Sequence, residues 1–458
     1  MIQSAIFGAV AGLACIANVV AHKWLPVPRP EIKAWPYSPG GAFPVSPHRV
    51  KSCYVKASNN GGDDAGSILH AFHTCNNGGT VVLAANYTIA SPLDLTFLKH
   101  VDVAITGTIN FAPDLSYWTE HSFKYAYQDA TAFWRFGGED VNIFGLGVGL
   151  INGNGQPWYD AAATNTSLLR PVLFLVDGLQ GGSVTGLRMI NPPSWFNLIA
   201  NSTDIIVDDL NLQAVSKNSN LAKNTDGWDI YRSDSVVLQN SIINNGDDCV
   251  SLKPNSTNIV VQGLHCNGSH GISVGSLGQY AEEFDIVENV YIYNISMSNA
   301  SDGARIKVWP GQYTTFQDNL NGGGGSGYVK NVTYDGLFNT NNDWAIELTQ
   351  CYGQNNLTLC NEFPSNMVIS DIVFKNMWGT TSKRYDPKVG TLVCSDASKC
   401  SNIQAHNISV SPPSGKIATW VSSMILGVGF TAGRIGKRGQ VSGPPKTGWD
   451  ITEDLEAY

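Results

Sequence analysis

Short apolar runs alternate with polar turns along the middle of the chain at a nearly constant interval. A hydrophobic-x-x-hydrophobic pair recurs at Val184/Leu187, Val207/Leu210, Val261/Leu264 and Ile292/Ile295, with a degenerate copy at Leu238/Ser241. The second members step by 23, 31, 23 and 31 residues. The copies lie in or beside β-rich runs such as DIIVDDLNL, SVVLQNSII, NIVVQGLHC and NVYIYNISM, bounded by Asn, Asp, Gly or Ser. Such runs read as strand then turn rather than helix. A repeat of this length marks stacked supersecondary units, and an all-β, single-domain parallel β-helix fits. Successive coils would then lie about 4.8 Å apart, so residues one coil apart in sequence become lateral neighbours.

One earlier stretch breaks the β pattern. In residues 65–75, Ile68, Leu69, Phe72 and Cys75 fall on one helical stripe, with Asp63 or Asp64 as the expected N-cap. A short N-terminal helix there would cover the open end of the first coil and block edge-to-edge pairing.

The polar positions carry their own period. NTDGWD occupies 224–229, NNGDDC 244–249 and CNGSHGISVGS 266–276; Asp226 to Asp247 is 21 residues and Asp247 to His270 is 23. Stacking would line Asp226, Asp247, Asp248 and His270 along one groove. A further coil brings ARIK, whose Arg305 and Lys307 share a side of a strand. Within a strict strand Asp247 and Asp248 would face opposite ways. Both reach the groove only if the backbone bulges or turns at Gly246; otherwise one of them satisfies turn amides. Crowded acids should raise the proton affinity of at least one member.

Taken together and in this order, NTDGWD, GDDC, SHGISVGS and RIK resemble the polygalacturonase family of glycoside hydrolases, pectin-degrading enzymes with a right-handed parallel β-helix. The likeness runs from about Cys53 to about Ser409. It implies that Asp247 is the general acid, that Asp226 and Asp248 hold the nucleophilic water, and that His270 supports protonation of the acid. Arg305 and Lys307 match the cations that bind the sugar carboxylate, where Arg offers a two-pronged donor. Tyr352, in ELTQCYGQ, corresponds to a substrate-binding tyrosine, and Trp309 is expected to stack on the terminal ring. The resemblance implies inversion and no metal or other cofactor, although carboxylates about 5 Å apart would by themselves suggest retention.

Gly246 before the Asp pair, Ser269 before His270, and VWPG after RIK look like the exo-acting branch, which includes fungal exopolygalacturonases. The expected activity is release of galacturonic acid from the non-reducing end of polygalacturonate. Residues 312–328, with glycines at 322–325, are added chain that would either close one end of the groove or form a mobile surface loop. Alternatives are an exo-acting rhamnogalacturonan galacturonohydrolase and an endo-polygalacturonase. A pectate lyase would need a basic residue and calcium, and a non-catalytic sugar-binding β-helix would not need the acids. Trp158, Tyr159 and Trp195 could meet sugar rings, but aromatics near Pro and Gly more often pack beneath loops. Packing is the expectation for Trp158, and Trp195 stays open between the two.

Composition narrows the setting. The 458 residues are only 14% charged, include 47 glycines and carry a net charge of -9, which suits tight turns around an apolar interior and disfavours a nucleic-acid partner. Residues 5–21 are uncharged and mostly apolar and end in Val-Val-Ala, so 1–21 reads as a signal peptide. Their 17 residues fall short of the roughly 20 needed to span a membrane. The β-helix domain is expected over 22–410, with 411–458 as a divergent tail or a last coil with its cap.

Apart from Cys15, eight cysteines remain. Neighbouring coils favour the local bridges Cys53–Cys75, Cys249–Cys266, Cys351–Cys360 and Cys394–Cys400 over a metal site at Cys249, Cys266, His265 and His270. Ten sequons, at Asn86, Asn165, Asn201, Asn255, Asn267, Asn294, Asn299, Asn331, Asn356 and Asn407, suggest sugars on exposed turns. The expected protein is a secreted, monomeric enzyme of pectic polysaccharide.

Overall fold

The computed structural model describes residues 27–312, 314–315, 321–424 and 429–431. The expected signal peptide lies outside these residues, as do 432–458.

Each turn of the chain lays down up to three strand segments, and each segment pairs in parallel with its counterparts one turn away. A single 28-stranded ladder results. Parallel crossovers of this kind wind right-handed, and the molecule is a right-handed parallel β-helix. One sheet runs from Lys51–Tyr54, paired with Gly79–Leu83, to Gly429–Thr431. A second stacks Arg188–Ile190, Asn211–Gln213, Ile242–Asn244 and His265–Asn267. The third carries the acids and stacks Asn197–Ala200, Trp228–Tyr231, Val250–Leu252, Ile272–Leu277, Asp302–Val308, Trp344–Thr349 and Lys388–Val393.

The repeating pairs point inward. Val184, Leu187, Val207, Leu210, Leu238, Val261, Leu264, Ile292 and Ile295 all belong to one continuous core. The degenerate position is explained by a hydroxyl: Ser241 is buried, donates from Oγ to Gln239 O at 2.9 Å and accepts from Leu210 N at 3.1 Å. Corners between sheets use asparagine because its short amide tolerates the left-handed region. Asn258, Asn289, Asn331 and Asn402 have φ of 55°, 58°, 54° and 51°. Their side chains also form ladders along the axis, as in Asn331 Nδ2 to Asn289 Oδ1 at 2.8 Å and Asn299 Nδ2 to Asn267 Oδ1 at 2.8 Å.

The capping helix forms over Ala65–Cys75 and buries Ala65, Ile68, Ala71, Phe72 and Cys75 against the first strands. Asp64 takes the N-cap position without capping. Its carboxylate instead accepts from Ser58 N and Thr88 N, while Asp63 Oδ1 accepts from Ala65 N at 3.0 Å. Four disulfides join Cys53 to Cys75, Cys249 to Cys266, Cys351 to Cys360 and Cys394 to Cys400. Near the C-terminal end, Cys400–Ser411 crosses residue 410, and Thr419–Ser423 adds a further rung on Lys388–Val393.

Candidate active site

The third sheet presents one outward row of side chains in register: Leu198, Asp229, Ser251, Ser273, Arg305 and Glu347. The acids sit just before its strands, in the turns that enter it. Asp226 precedes Trp228–Tyr231, the Asp247-Asp248 pair precedes Val250–Leu252, and His270 precedes Ile272–Leu277. The Asp pair is a turn rather than a strand. Asp248 O accepts from Gly227 N one coil back, Asp247 O accepts from His270 N one coil on, and Asp247 Oδ1 accepts from Asp248 N at 2.8 Å. Gly246 is required by close approach, since a Cβ there would stand 2.4 Å from Ala222 O.

Asp247 is tied on both oxygens. Oδ1 lies 3.1 Å from His270 Nδ1, and Oδ2 accepts from Asn224 Nδ2 at 3.1 Å. Asn224 is held by Arg170 Nη2 at 2.7 Å. Asp248 is fully buried; Ser273 Oγ donates to its Oδ1 at 2.7 Å and Lys307 Nζ to its Oδ2 at 2.6 Å. Asp226 is also buried.

These contacts separate the three acids electrostatically. Burial pushes the Asp226 carboxyl well above its usual range and the nearby Asp247 charge adds to this. Burial works the same way on Asp247, but His270, through charge and hydrogen bond, holds it below. At Asp248, burial is likewise outweighed, here chiefly by Lys307. The Asp247 charge raises His270. Burial, with the crowding by Asp247 added, therefore raises one acid, Asp226, while the other two are held low by cations.

Arg305 reaches Glu347 Oε2 through Nε at 2.7 Å, with Asp302 at 3.6 Å and Asp248 at 3.9 Å. Tyr352 lies against both cations, its ring centroid 5.8 Å from Arg305 Cζ and 5.7 Å from Lys307 Nζ. Trp309 departs from the expectation. It is only 1% exposed and meets Tyr352 edge-on at 5.1 Å, so it supports the tyrosine from beneath and cannot stack on a sugar. Glycines allow this, because a Cβ at Gly353 would fall 2.4 Å from its ring. Trp158 is fully buried, and Trp195 is half-buried with Lys253 Nζ 5.3 Å from its ring centroid.

Glu347, Asp302, Asp229 and Lys253 complete the polar floor and escaped the sequence reading. Asp229 closes the NTDGWD motif and Lys253 follows GDDC by four residues, which was the available signal. Also unanticipated is a hairpin at 123–132: Phe123–Lys124 pairs antiparallel with Thr131–Ala132, which pairs with Pro171–Val172. It lies over the outward face of the coils preceding the acids. Tyr127 stacks on Tyr231 at 4.2 Å, and the outward residues Leu175, Leu198 and Ala200 are buried in the same cluster. Its tip donates from Gln128 Nε2 to Gln279 Oε1 at 2.9 Å. In the inserted stretch 312–328, Thr314–Thr315 pairs antiparallel with Asn321–Gly322 beside Trp309 and Gln279, while 313 and 316–320 lie outside the described residues.

Residues 79–424 match the pattern of glycosyl hydrolases family 28. The chain belongs to glycosyl hydrolases family 28. It is 56% identical over 398 residues to the probable exopolygalacturonase X of Neosartorya fischeri, covering 86% of this chain and 92% of that one. It is 55% identical over 399 residues to the exopolygalacturonase of Cochliobolus carbonum, with 87% of each covered. Among solved structures, the endo-xylogalacturonan hydrolase of Aspergillus tubingensis superposes with a TM-score of 0.73 at 34% identity, covering 84% of this chain and all of that one. As a family 28 glycoside hydrolase, the chain carries its acids on the third sheet of the solenoid, beside the hairpin.

Proposed function

We propose that this enzyme hydrolyses α-1,4-galacturonosidic bonds at the non-reducing end of polygalacturonate and releases galacturonic acid one unit at a time. The observation that carries the reading is the groove itself, with three acids and His270 facing Arg305 and Lys307 and the 123–132 hairpin covering the coils on the other side. A polymer entering past the cations meets this cover just beyond the acids, which favours attack at a chain end. The exopolygalacturonase relatives support it, and the cover argues against the endo action named for the xylogalacturonan enzyme.

Hydrolysis needs one proton donor and one base. Asp247 is the donor. When sugar displaces water, the His270–Asp247 ion pair loses solvation and the neutral form, with the proton on Asp247, gains ground. That proton passes to the departing glycosidic oxygen as the C–O bond breaks. Asp248, kept ionised by Lys307, takes a proton from the attacking water, whose oxygen bonds to the anomeric carbon. Asp226, whose proton affinity burial raises, helps hold that water. Arg305 and Lys307 take a uronate carboxylate, and Tyr352 forms the wall beside them.

Inversion is part of the reading, although ligand atoms of Asp247, Asp248 and His270 lie within 4.8 Å of one another. The two carboxylates and the histidine are already engaged with one another, Asn224, Ser273 and Lys307, so no metal is needed to neutralise them. The reading includes secretion, which the four disulfides support because such bonds persist in oxidising compartments, and action as a monomer on pectic polysaccharide. All the sequon asparagines but the half-buried Asn255 are exposed, so glycans have room. No helix among the described residues is long and apolar enough to cross a membrane.

The test is product analysis on polygalacturonate, with anomers followed by proton NMR and a parallel reaction in chelator. Monomeric galacturonic acid as the early product, in its β anomer and unaffected by chelator, is the expected result. Early dimers and trimers, an α product, or calcium-dependent unsaturated ends would each overturn the corresponding part.

A further inference from the structure

At the closed end of the groove, between the hairpin and the acids, stands a second charged pair that the mechanism leaves unused. Lys253 is 5% exposed and Asp229 fully buried, yet Nζ and Oδ1 are 3.5 Å apart, and both Asp229 oxygens lack a hydrogen bond. Lys307, by contrast, sits 2.6 Å from its carboxylate. The Lys253 ammonium lies over the face of Trp195. Tyr127, on the hairpin above, also leaves its buried hydroxyl unpaired. Buried polar groups are costly unless hydrogen-bonded, so this cluster of unpaired groups is better suited to a ligand than to holding the fold. A cation, acceptors and an aromatic face together suit a sugar acid.

We infer that Lys253 binds the carboxylate of the terminal uronic acid at the closed end of the groove, with Asp229 as its counter-ion until the sugar arrives. This rests on the exo-galacturonase reading and deepens it. Asp229 is suited to stand aside. Burial pushes its carboxyl up to about 7, against the pull of Lys253, so in mild acid it takes up a proton. The cation is then left for the incoming carboxylate.

The test uses p-nitrophenyl α-D-galactopyranosiduronate, whose only carboxylate is on the transferred sugar, and the matching neutral galactoside. Lys253→Met should lower kcat/KM on the uronide on the order of 10- to 100-fold, the usual effect of losing a charged hydrogen bond, and leave the galactoside rate unchanged. Lys253→Arg should retain most of the preference. The double variant Asp229→Asn/Lys253→Met removes both charges together, keeps the site neutral and should show the same selective loss. Uronide preference that survives Lys253→Met overturns the inference alone, as does an equal loss on both substrates. Wild-type enzyme that takes the galactoside as readily overturns the exo-galacturonase reading and the inference with it.

Discussion

Replacing Lys307 by Met tests whether Asp248 is the ionised base. The Lys307 Nζ to Asp248 Oδ2 contact is 2.6 Å, and neither side chain meets solvent appreciably. At an effective permittivity near 20, opposite charges this close attract by roughly 4 to 6 kcal/mol. Arg305 remains 3.9 Å away and Ser273 keeps its hydrogen bond, so only part of that is lost. An opposite charge in contact ordinarily lowers a carboxyl by about 1 to 3 pH units, and that is the shift expected on removing it. In the wild type, where Asp248 lies below its ordinary value, its stabilising contribution is present above the unfolded pKa of about 4 and fades as pH falls through the folded value. In the variant the folded value rises, the base is protonated in mild acid, and the acidic limb of kcat/KM moves up by that same span. Initial rates of reducing-end formation across the acidic range measure it, with a melting curve to confirm folding. A rate lower by one constant factor at every pH, with the limb in place, would show that Lys307 acts on the substrate alone.

Asp247→Asn should lower turnover by about 10²- to 10⁴-fold while substrate binding, read by calorimetry, stays near wild type; a near-normal rate sinks its role as acid. Shortening the hairpin tip around Gln128 should uncover Leu175 and Leu198 and shift early products toward dimers and trimers with faster viscosity loss. If only trimming the glycines at 322–325 does this, the wall is the later insertion instead.

The acids were legible because each belongs to a motif that repeats with the coil, and the coil period was legible because Val207, Val261 and Ile292 alternate inward along it. Trp309 misled because a tryptophan after a strand, beside Pro and Gly, carries no sign of which side it faces. Gly322 and Gly353 decide that by letting chain close over it. Glu347 was missed because its significance lies in Arg305, 42 residues earlier. The hairpin lacked any periodic signal: Gln128 and Asp129 take left-handed φ of 52° and 51°, and its anchor on Gln279 is 151 residues away. Local pattern foretells what repeats; it is silent about an excursion from the repeat.

The hairpin over Leu175 and Leu198 also governs traffic. With one end of the groove covered, the entrance also serves as the exit. A monomer freed at the blind end sits behind the polymer that has just lost it, and cannot leave until that polymer backs out. Each turnover then includes complete dissociation of the chain, so the enzyme samples many chain ends rather than running down one. Its rate per chain end should be indifferent to how long each chain is.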